Sequence, residues 1–420
     1  MTVTVSQLTS VSSTAWNEAA DEWSWLLSIT QETSDDLMKC KGAIGTNWPD
    51  DVGKLAGNAV GQLYDQFNIT SEVVASVVAI LTALAESVGT AQTVLQDALY
   101  LASEASYTVD DTGNVTAGDA PFIDGKSLID IQDMINEALR SADEADQQAA
   151  KDLAKLAALA TQAGGAKESD VLGEQNSITK DAIAMYQDMV PPLGTRPDAV
   201  AAWWNSLTPG EQTVLENAVP LSLYHLDGIP DSIKAKLSGS GPVDRMALIQ
   251  YAEDNYGNTD LDWSSLGDNC TIFASDALHA AGLPMSRDWN AYNNPFNILH
   301  GGEPDSLTST SDWTIAQQFH NYLTSGPSNG ADAPAGHEVP VSQARPGDMI
   351  FFKTDPNNTT ERDGANTIFH TAIVTAVLPN GDVLYTQHSD GYENLSLDGR
   401  QEYLQQSYGP NHPVIVQFGS

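Results

Sequence analysis

The sequence predicts a multidomain fold class, in which an all-α N-terminal helical hairpin or bundle is followed by an α+β domain. Its 420 residues exceed what one ordinary hydrophobic core accommodates. Apolar residues recur at helical spacing through Leu159, whereas alternating, β-rich segments form a series beyond Asp348. We therefore expect three domains, namely a long helical hairpin or bundle, a helical connector and an α+β domain, over residues 1–165, 166–261 and 262–420.

Composition and charge exclude several classes of protein. Hydrophobic residues make up 41% of the chain, which also has nine Trp, so there is enough apolar material for folded cores. With 18 Lys and Arg against 56 Asp and Glu, the net charge of −38 repels phosphate backbones, and we expect no nucleic-acid partner. The two cysteines, Cys40 and Cys270, are too few for a disulfide scaffold or a four-cysteine zinc module.

The start of the chain and its apolar runs predict neither a Sec signal nor a membrane span. Residues Met1–Ser10 lack the basic start and apolar core of a Sec signal. The longest apolar run, Val73–Ala85, is too short to cross a bilayer, and it contains Ser76 and Thr82.

The first hundred residues or so show the apolar repeat of two long helices. Residues 8–44 predict one helix, and a break around Trp48 separates it from a second helix with a seven-residue apolar repeat over Val60–Ala98. The short break predicts an antiparallel helical hairpin. Cys40 lies on the apolar face that the first helix is predicted to turn toward the second, here called the seam, so we expect a buried core thiol. The seam positions of the first helix are Trp16, Ala19, Trp23, Leu26, Thr30, Leu37, Cys40 and Ile44.

The middle of the chain predicts short elements between longer helices. Tyr107–Thr116 contains a Gly turn between β-prone pieces, which indicates a small hairpin, and Ser127–Leu159 predicts a further helix. The polar stretch 161–180 is typical of a flexible boundary. From Asp181 to Leu261 the pattern predicts shorter helices, one of them with an N-cap signal at Thr208–Glu211.

After Asp268 the pattern changes to one helix, long loops and then strands. We expect the helix to start at Cys270 and to stop at Gly282. This order predicts an α+β domain with Trp289 and Trp313 in its core. The predicted strands are Met349–Phe352, Thr371–Val377, Val383–Gln387 and Val414–Phe418.

The position of Cys270 predicts a reactive thiol. A thiol at a helix N-terminus meets the positive end of the helix dipole, which lowers its pKa. His370 opens one predicted strand, and the next strand ends in Gln387 and His388, so a base and an orienting polar group could reach the thiol. Because neighbouring strand residues face opposite ways, only one of the two can orient His370, and we expect His388 rather than Gln387.

A zinc site is the competing interpretation of these residues. Cys270, His370 and His388 are residue types that can serve as three zinc ligands. Neither an HExxH nor a CxxC motif supports this interpretation, and we predict no cofactor and no metal.

Five separated blocks in the last 150 residues or so resemble a known family. The blocks are NCTIFASDAL, SDWTIAQQFHNYL, ARPGDMIFF, FHTAIVTAV and YTQHSDGYENLSLDGR. They are similar to the family called "putative amidase domain", relatives of NlpC-type and CHAP peptidoglycan hydrolases. The resemblance implies a papain-like (NlpC/CHAP-like) cysteine hydrolase, with Cys270 as nucleophile, His370 as general base and later acid, and His388 as the orienting residue. The family usually has Asp at the position of Asn269, and Asn is common at the position of Ile272. Both differences concern the oxyanion hole.

The helical front resembles the WXG-like domains of type VII secretion substrates. The hairpin has Trp48 at its turn, although Trp48-Pro49-Asp50 lacks the Gly of that motif, and Tyr100–Glu104 fits a YxxxD/E pattern. The segments WWNSLTPGEQ and LDGIP also resemble connectors that join such fronts to enzyme domains. The resemblance implies a WXG-type helical partner and secretion machinery, with a secreted or cell-wall-associated location without a Sec signal. A generic coiled-coil front is the alternative.

Together, these features predict a secreted cysteine amidase or endopeptidase that cleaves peptidoglycan peptides. It would act either as a type VII-type secreted effector, a toxin with an immunity protein, or as a cell-wall hydrolase that remodels the cell's own wall. Two alternatives remain open. The same residues could serve a deamidase or transglutaminase-like toxin that acts on a protein, or the fold could be an inactive cell-wall binding module.

Overall fold

The computed structural model divides into two compact units, Met1–Ile229 and Pro230–Ser420. The division falls inside the predicted connector 166–261, and the three-domain organisation stays a prediction. The units follow the predicted order, with a helical region before an α+β domain. The structure describes residues 3–117, 128–161, 168–258, 269–291, 309–325, 334–356, 358, 364–388 and 391–419.

The N-terminal unit begins with the two long helices that the apolar repeat predicts. After a short helix α1 (Val5–Ser10), helix α2 covers Ser13–Asn47 and packs against helix α3, Asp51–Glu104. The Asp50 carboxylate caps α3 by accepting hydrogen bonds from the N–H groups of Val52 and Gly53, at 3.0 and 2.9 Å. The short break at Trp48 therefore returns the chain along α2.

Helix α3 is the core helix of this unit. It contains an apolar window of mean hydropathy 1.9, long enough to cross a membrane by length and composition, and 83% of that window is buried inside the unit. The helices α4 (Leu128–Thr161) and α5 (Glu168–Asp188) pack against α3, as α2 does. Such burial among other helices is the pattern of a helix in a protein core.

The prediction that Cys40 is buried is wrong, because its side chain is exposed. The interface of α2 uses Ala20, Leu27 and Ser34, a seven-residue series displaced from the predicted seam, together with Thr30. Toward the turn, residues 51–63 of α3 are half-buried or exposed except for Gly53 and Gly61. Contact between two helices buries only a narrow stripe of each helix, so the Cys40 thiol near the turn stays accessible.

The predicted flexible boundary is also wrong for residues 168–180, which belong to α5. Val171 and Ile178 of this helix are buried, although the segment is polar overall. Residues 162–167 lie outside the part of the chain that the structure describes.

The remaining predicted elements of the N-terminal unit are confirmed. Strands β1 (Tyr107–Val109) and β2 (Val115–Ala117) form the small antiparallel hairpin. The predicted N-cap signal is a complete capping box, in which the Thr208 hydroxyl accepts from the Glu211 N–H and the Glu211 carboxylate accepts from the Thr208 N–H. The short helices α6, α7 and α8 span Pro197–Ser206, Pro209–Ala218 and Pro220–His225.

A six-stranded antiparallel sheet forms the centre of the C-terminal unit, with the order β3-β8-β4-β5-β6-β7. All four predicted strands are present, whereas β3 and β7 at the two edges were not predicted. The strands are β3 (His337–Val339), β4 (Met349–Thr354), β5 (Ile368–Val377), β6 (Val383–Gln387), β7 (Tyr392–Ser396) and β8 (Asn411–Gln417). The helices are α9 (Asp231–Ser238), α10 (Arg245–Asn255), α11 (Cys270–Ala280), α12 (Ser311–Thr314), α13 (Ala316–Thr324) and α14 (Leu397–Tyr408).

Aromatic packing fixes helix α11 against the sheet. Trp289 and Trp313 are fully buried with ring centroids 4.5 Å apart, and the Trp289 indole N–H donates to Ser275 Oγ of α11 at 3.1 Å. Both Trp residues are therefore in the core, as predicted. Phe273 of α11 belongs to the same core as Ile373 of β5. This packing places the first residue of α11 beside strand β5.

Candidate active site

Cys270 is the first residue of α11, as the sequence predicts, and Asn269 occupies the N-cap position. The first N–H groups of a helix have no carbonyl partner one turn earlier, and they concentrate positive potential at this end. Only 4% of Cys270 is exposed. Asp268, the other predicted cap, lies outside the described residues. The thiol is therefore desolvated and next to the positive end of α11.

His370 on strand β5 reaches this thiol, and its imidazole forms a hydrogen bond with Cys270. The imidazole is half-buried, and the ring of Phe352 on β4 lies 5.6 Å from it. The pairing of β4 with β5 shifts at this point, because Phe352 pairs with His370 while Lys353 pairs with Ile368. The bulge that results re-aims the side chains at the start of β5.

Gln387 at the end of β6 orients the His370 imidazole. Its amide oxygen Oε1 lies 2.8 Å from His370 Nε2. An amide oxygen can only accept, so Nε2 carries a proton and Nδ1 is the nitrogen left for the thiol. The site is therefore a series of hydrogen-bonded side chains, Cys270–His370–Gln387.

The orienting role predicted for His388 is corrected by this geometry. His388 follows Gln387 by one residue and faces the other way, with Nδ1 3.1 Å from the Tyr256 carbonyl oxygen and its ring 5.5 Å from that of Phe273. The reason is the alternation of the strand, which places only one of the two residues on the face of His370. The register decides which one, since Ile373 pairs with Thr386 and so brings Gln387 toward His370.

The orientation of His388 also argues against the alternative zinc site. Because His388 packs against Phe273, it does not complete a ligand set with Cys270 and His370. Within the described ranges, no group of three His, Cys, Asp or Glu side chains is arranged to hold a metal ion.

Opposing effects set the pKa of the Cys270 thiol to about 7. Burial raises it, whereas the charge and hydrogen bond of His370, the N–H of Thr371 and the hydroxyl of Thr271 lower it. Thr271 Oγ1 lies 3.7 Å from the sulfur. Neither threonine is among the site residues that the sequence predicts. The position of Thr271 next to Cys270 could have suggested it, but the backbone N–H of Thr371 gives no signal in residue type.

Comparison with known proteins identifies the domain that carries this site. Residues 242–408 match the model of the family described as "Putative amidase domain". The C-terminal unit thus contains an amidase-like domain, and the match covers Cys270, His370 and Gln387. The reaction class that this match indicates is hydrolysis of amide bonds.

One curated relative overlaps part of the chain. It is a Bacillus subtilis (strain 168) protein described as "Uncharacterized protein YhbB", 29% identical over 133 residues, or 32% of this chain. The chain covers 37% of the length of that relative. No solved structure matches the chain significantly.

Proposed function

We propose that the amidase-like domain is a papain-like cysteine amidase or endopeptidase, which cleaves amide bonds by acyl transfer. The observation that carries this proposal is the series Cys270–His370–Gln387 at the start of α11, with a thiol pKa of about 7. A thiolate, a base within hydrogen-bond reach and a group that orients the base are the three parts that nucleophilic catalysis by cysteine requires.

The first half of the reaction forms a thioester. The Cys270 thiolate attacks the amide carbonyl carbon, a carbon–sulfur bond forms, and the carbonyl oxygen becomes an oxyanion. Backbone N–H groups at the start of α11 stabilise this charge. His370, protonated while the thiolate exists, then gives its proton to the leaving amine as the carbon–nitrogen bond breaks. Gln387 keeps the imidazole in one orientation throughout.

The second half releases the acyl group. The neutral His370 imidazole accepts a proton from water, and the hydroxide that forms attacks the thioester carbonyl. The carbon–sulfur bond breaks, the carboxylic acid leaves, and the proton on His370 again stabilises the thiolate. His370 thus serves as base toward the Cys270 thiol, as acid toward the leaving amine and as base again toward water.

The substrate in this proposal is the peptide part of peptidoglycan, and the protein is a secreted effector or a cell-wall hydrolase. The five sequence blocks that resemble NlpC-type and CHAP hydrolases support the substrate class. The WXG-like hairpin supports secretion with a helical partner, since it exposes large apolar side chains, Trp25 at 67% within α2 and Trp48 at 46% and Leu55 at 69% near the turn. In the toxin role, an immunity protein in the producing cell would block the active site.

Digestion of purified peptidoglycan tests the proposal. We expect the full chain to release new muropeptide fragments in mass spectrometry, and we expect Cys270→Ala to release none. Cys40→Ala is the matched control, because it removes the other, exposed thiol and should cleave like the wild type. Unchanged muropeptides with the wild-type protein would overturn the substrate. A new mass on glutamine side chains of an added acceptor protein would favour the deamidase or transglutaminase alternative.

A further inference from the structure

The β-bulge at the start of β5 displays an aromatic ring directly beside the active site. Phe369 is the extra residue of this bulge, since its neighbours His370 and Ile368 pair with the consecutive residues Phe352 and Lys353. Bulges occur next to active sites because they redirect side chains that would otherwise alternate between faces. Phe369 directly precedes His370 in the chain, so their Cα atoms lie about 3.8 Å apart, and the bulge changes the direction of the Phe369 side chain relative to a regular strand.

Phe369 is half of a stacked aromatic pair. Its ring lies 4.3 Å from that of Tyr408, with 21° between the two planes, and both side chains are partly exposed. The buried ring of Phe352 lies 6.4 Å from Phe369 and 5.6 Å from His370, so one core ring packs against both side chains. We call Phe369 and Tyr408 the aromatic platform.

Hydrogen bonds to backbone carbonyl oxygens fix the chain at and just after Tyr408 of the platform. Tyr408 is the last residue of α14, and its carbonyl oxygen accepts a hydrogen bond from Asn358 Nδ2 at 2.8 Å. Asn358 itself is buried, and the Asp355 N–H donates to the carbonyl oxygen of Pro410 at 2.8 Å. The end of α14 is thereby fixed to the segment that follows β4. A platform anchored in this way is rigid enough to select a ligand shape.

We propose that the aromatic platform is a substrate subsite that binds a ring with an apolar face next to the scissile amide. The ring is an aromatic side chain or a sugar, since the face of an aromatic ring and the C–H groups on one face of a sugar both offer an apolar surface that stacks on an aromatic ring. This inference rests on the proposed function, because it assigns the platform to the substrate of Cys270. One residue of an extended substrate spans about 3.5 Å, so a group one or two positions from the scissile bond reaches a ring adjacent to His370.

Alkylation of Cys270 by haloacetamides tests the subsite without requiring turnover. The probes are N-benzyl-, N-glucosyl- and N-butyl-2-bromoacetamide, which carry an aromatic ring, a sugar ring and a flexible chain on the same reactive group. Rates are measured by peptide mapping at Cys270 and, as an internal control, at the exposed Cys40. We expect at least one ring-bearing probe to alkylate Cys270 about tenfold faster than the butyl probe, a gain absent at Cys40. The faster ring identifies the substrate group.

Two variants connect this selectivity to the platform. Phe369→Leu keeps an apolar side chain but removes the ring, and we expect the preference to fall to about twofold or less. Phe369→Tyr keeps the ring and should keep the preference. The melting temperature and the rate with plain iodoacetamide show whether each variant retains its fold and thiol.

The outcomes separate the subsite from the proposed function. Equal ring and butyl rates at Cys270, or a preference that Phe369→Leu leaves unchanged, would overturn the subsite even if peptidoglycan is cleaved. Ring selectivity together with intact muropeptides would keep the subsite and overturn the substrate proposed above. A Cys270 that no probe alkylates faster than Cys40 would overturn both.

Discussion

At the residue scale, the ionisation of Cys270 is the property on which the chemistry depends. Burial alone would keep a thiol protonated at neutral pH, yet the contacts of the sulfur with His370, Thr371 and Thr271 set its pKa to about 7. The thiolate is the reactive form, so the alkylation rate of Cys270 increases with pH and reaches half of its maximum where half of the thiol is ionised.

We therefore expect the rate of Cys270 alkylation by iodoacetamide to rise with pH around a midpoint of about 7. His370→Ala removes the largest effect that opposes burial, so the midpoint should move upward. Peptide mapping over a pH series gives the two profiles. A wild-type midpoint near that of a free model thiol, about 8.5, would contradict the prediction.

Gln387 is a positioning residue, since it contacts His370 rather than the thiol. We expect Gln387→Ala to lower kcat about tenfold to a hundredfold with little change in KM, because a mobile imidazole transfers protons less efficiently. Gln387→Glu retains an acceptor for Nε2–H and should recover most of the rate. His388→Gln is the matched control on the neighbouring position, and its pH profile should equal that of the wild type. A loss with His388→Gln as large as with Gln387→Ala would restore the role first expected for His388.

At the scale of elements, the site depends on one helix start and two strands. The sequence shows where α11 begins and where β5 and β6 lie, because a capping position and β-rich runs are local patterns. It therefore predicts Cys270 and His370 correctly as neighbours in space. It does not show which of Gln387 and His388 faces His370, since that depends on the register with β5 and on bulges, which form only when the strands pair.

The distinction between local sequence patterns and contacts formed only on folding also explains the other differences between expectation and structure. The apolar repeat identifies α2 and α3, but the stripe that is buried depends on α4 and α5, which lie far along the chain. Cys40 is exposed because the buried series of α2 is Ala20, Leu27 and Ser34 rather than the predicted seam. The edge strands β3 and β7 are short and carry polar residues, such as Glu338 and Asn394, so their alternation is too weak to detect. Tertiary contacts, rather than local propensity, decide each of these cases.

At the scale of the whole molecule, the C-terminal unit contains its own core and the complete candidate site. The buried cluster around Phe273, Trp289 and Trp313 is made entirely of residues beyond Pro230, and Cys270, His370 and Gln387 lie in the same unit. A unit with its own hydrophobic core has what it needs to fold by itself.

We therefore expect residues 230–420, expressed alone, to fold and to retain the reactive thiol. The isolated unit should unfold cooperatively on heating, and iodoacetamide should alkylate its Cys270 with the pH midpoint of the full chain, about 7. The variant Cys270→Ser in the same unit separates the signal of this thiol from background. Because Cys40 belongs to the N-terminal unit, Cys270 is the one cysteine left in this fragment, which makes its titration direct. A fragment without a cooperative transition, or with the pH profile of a free thiol, would show that the N-terminal unit is needed to form the site.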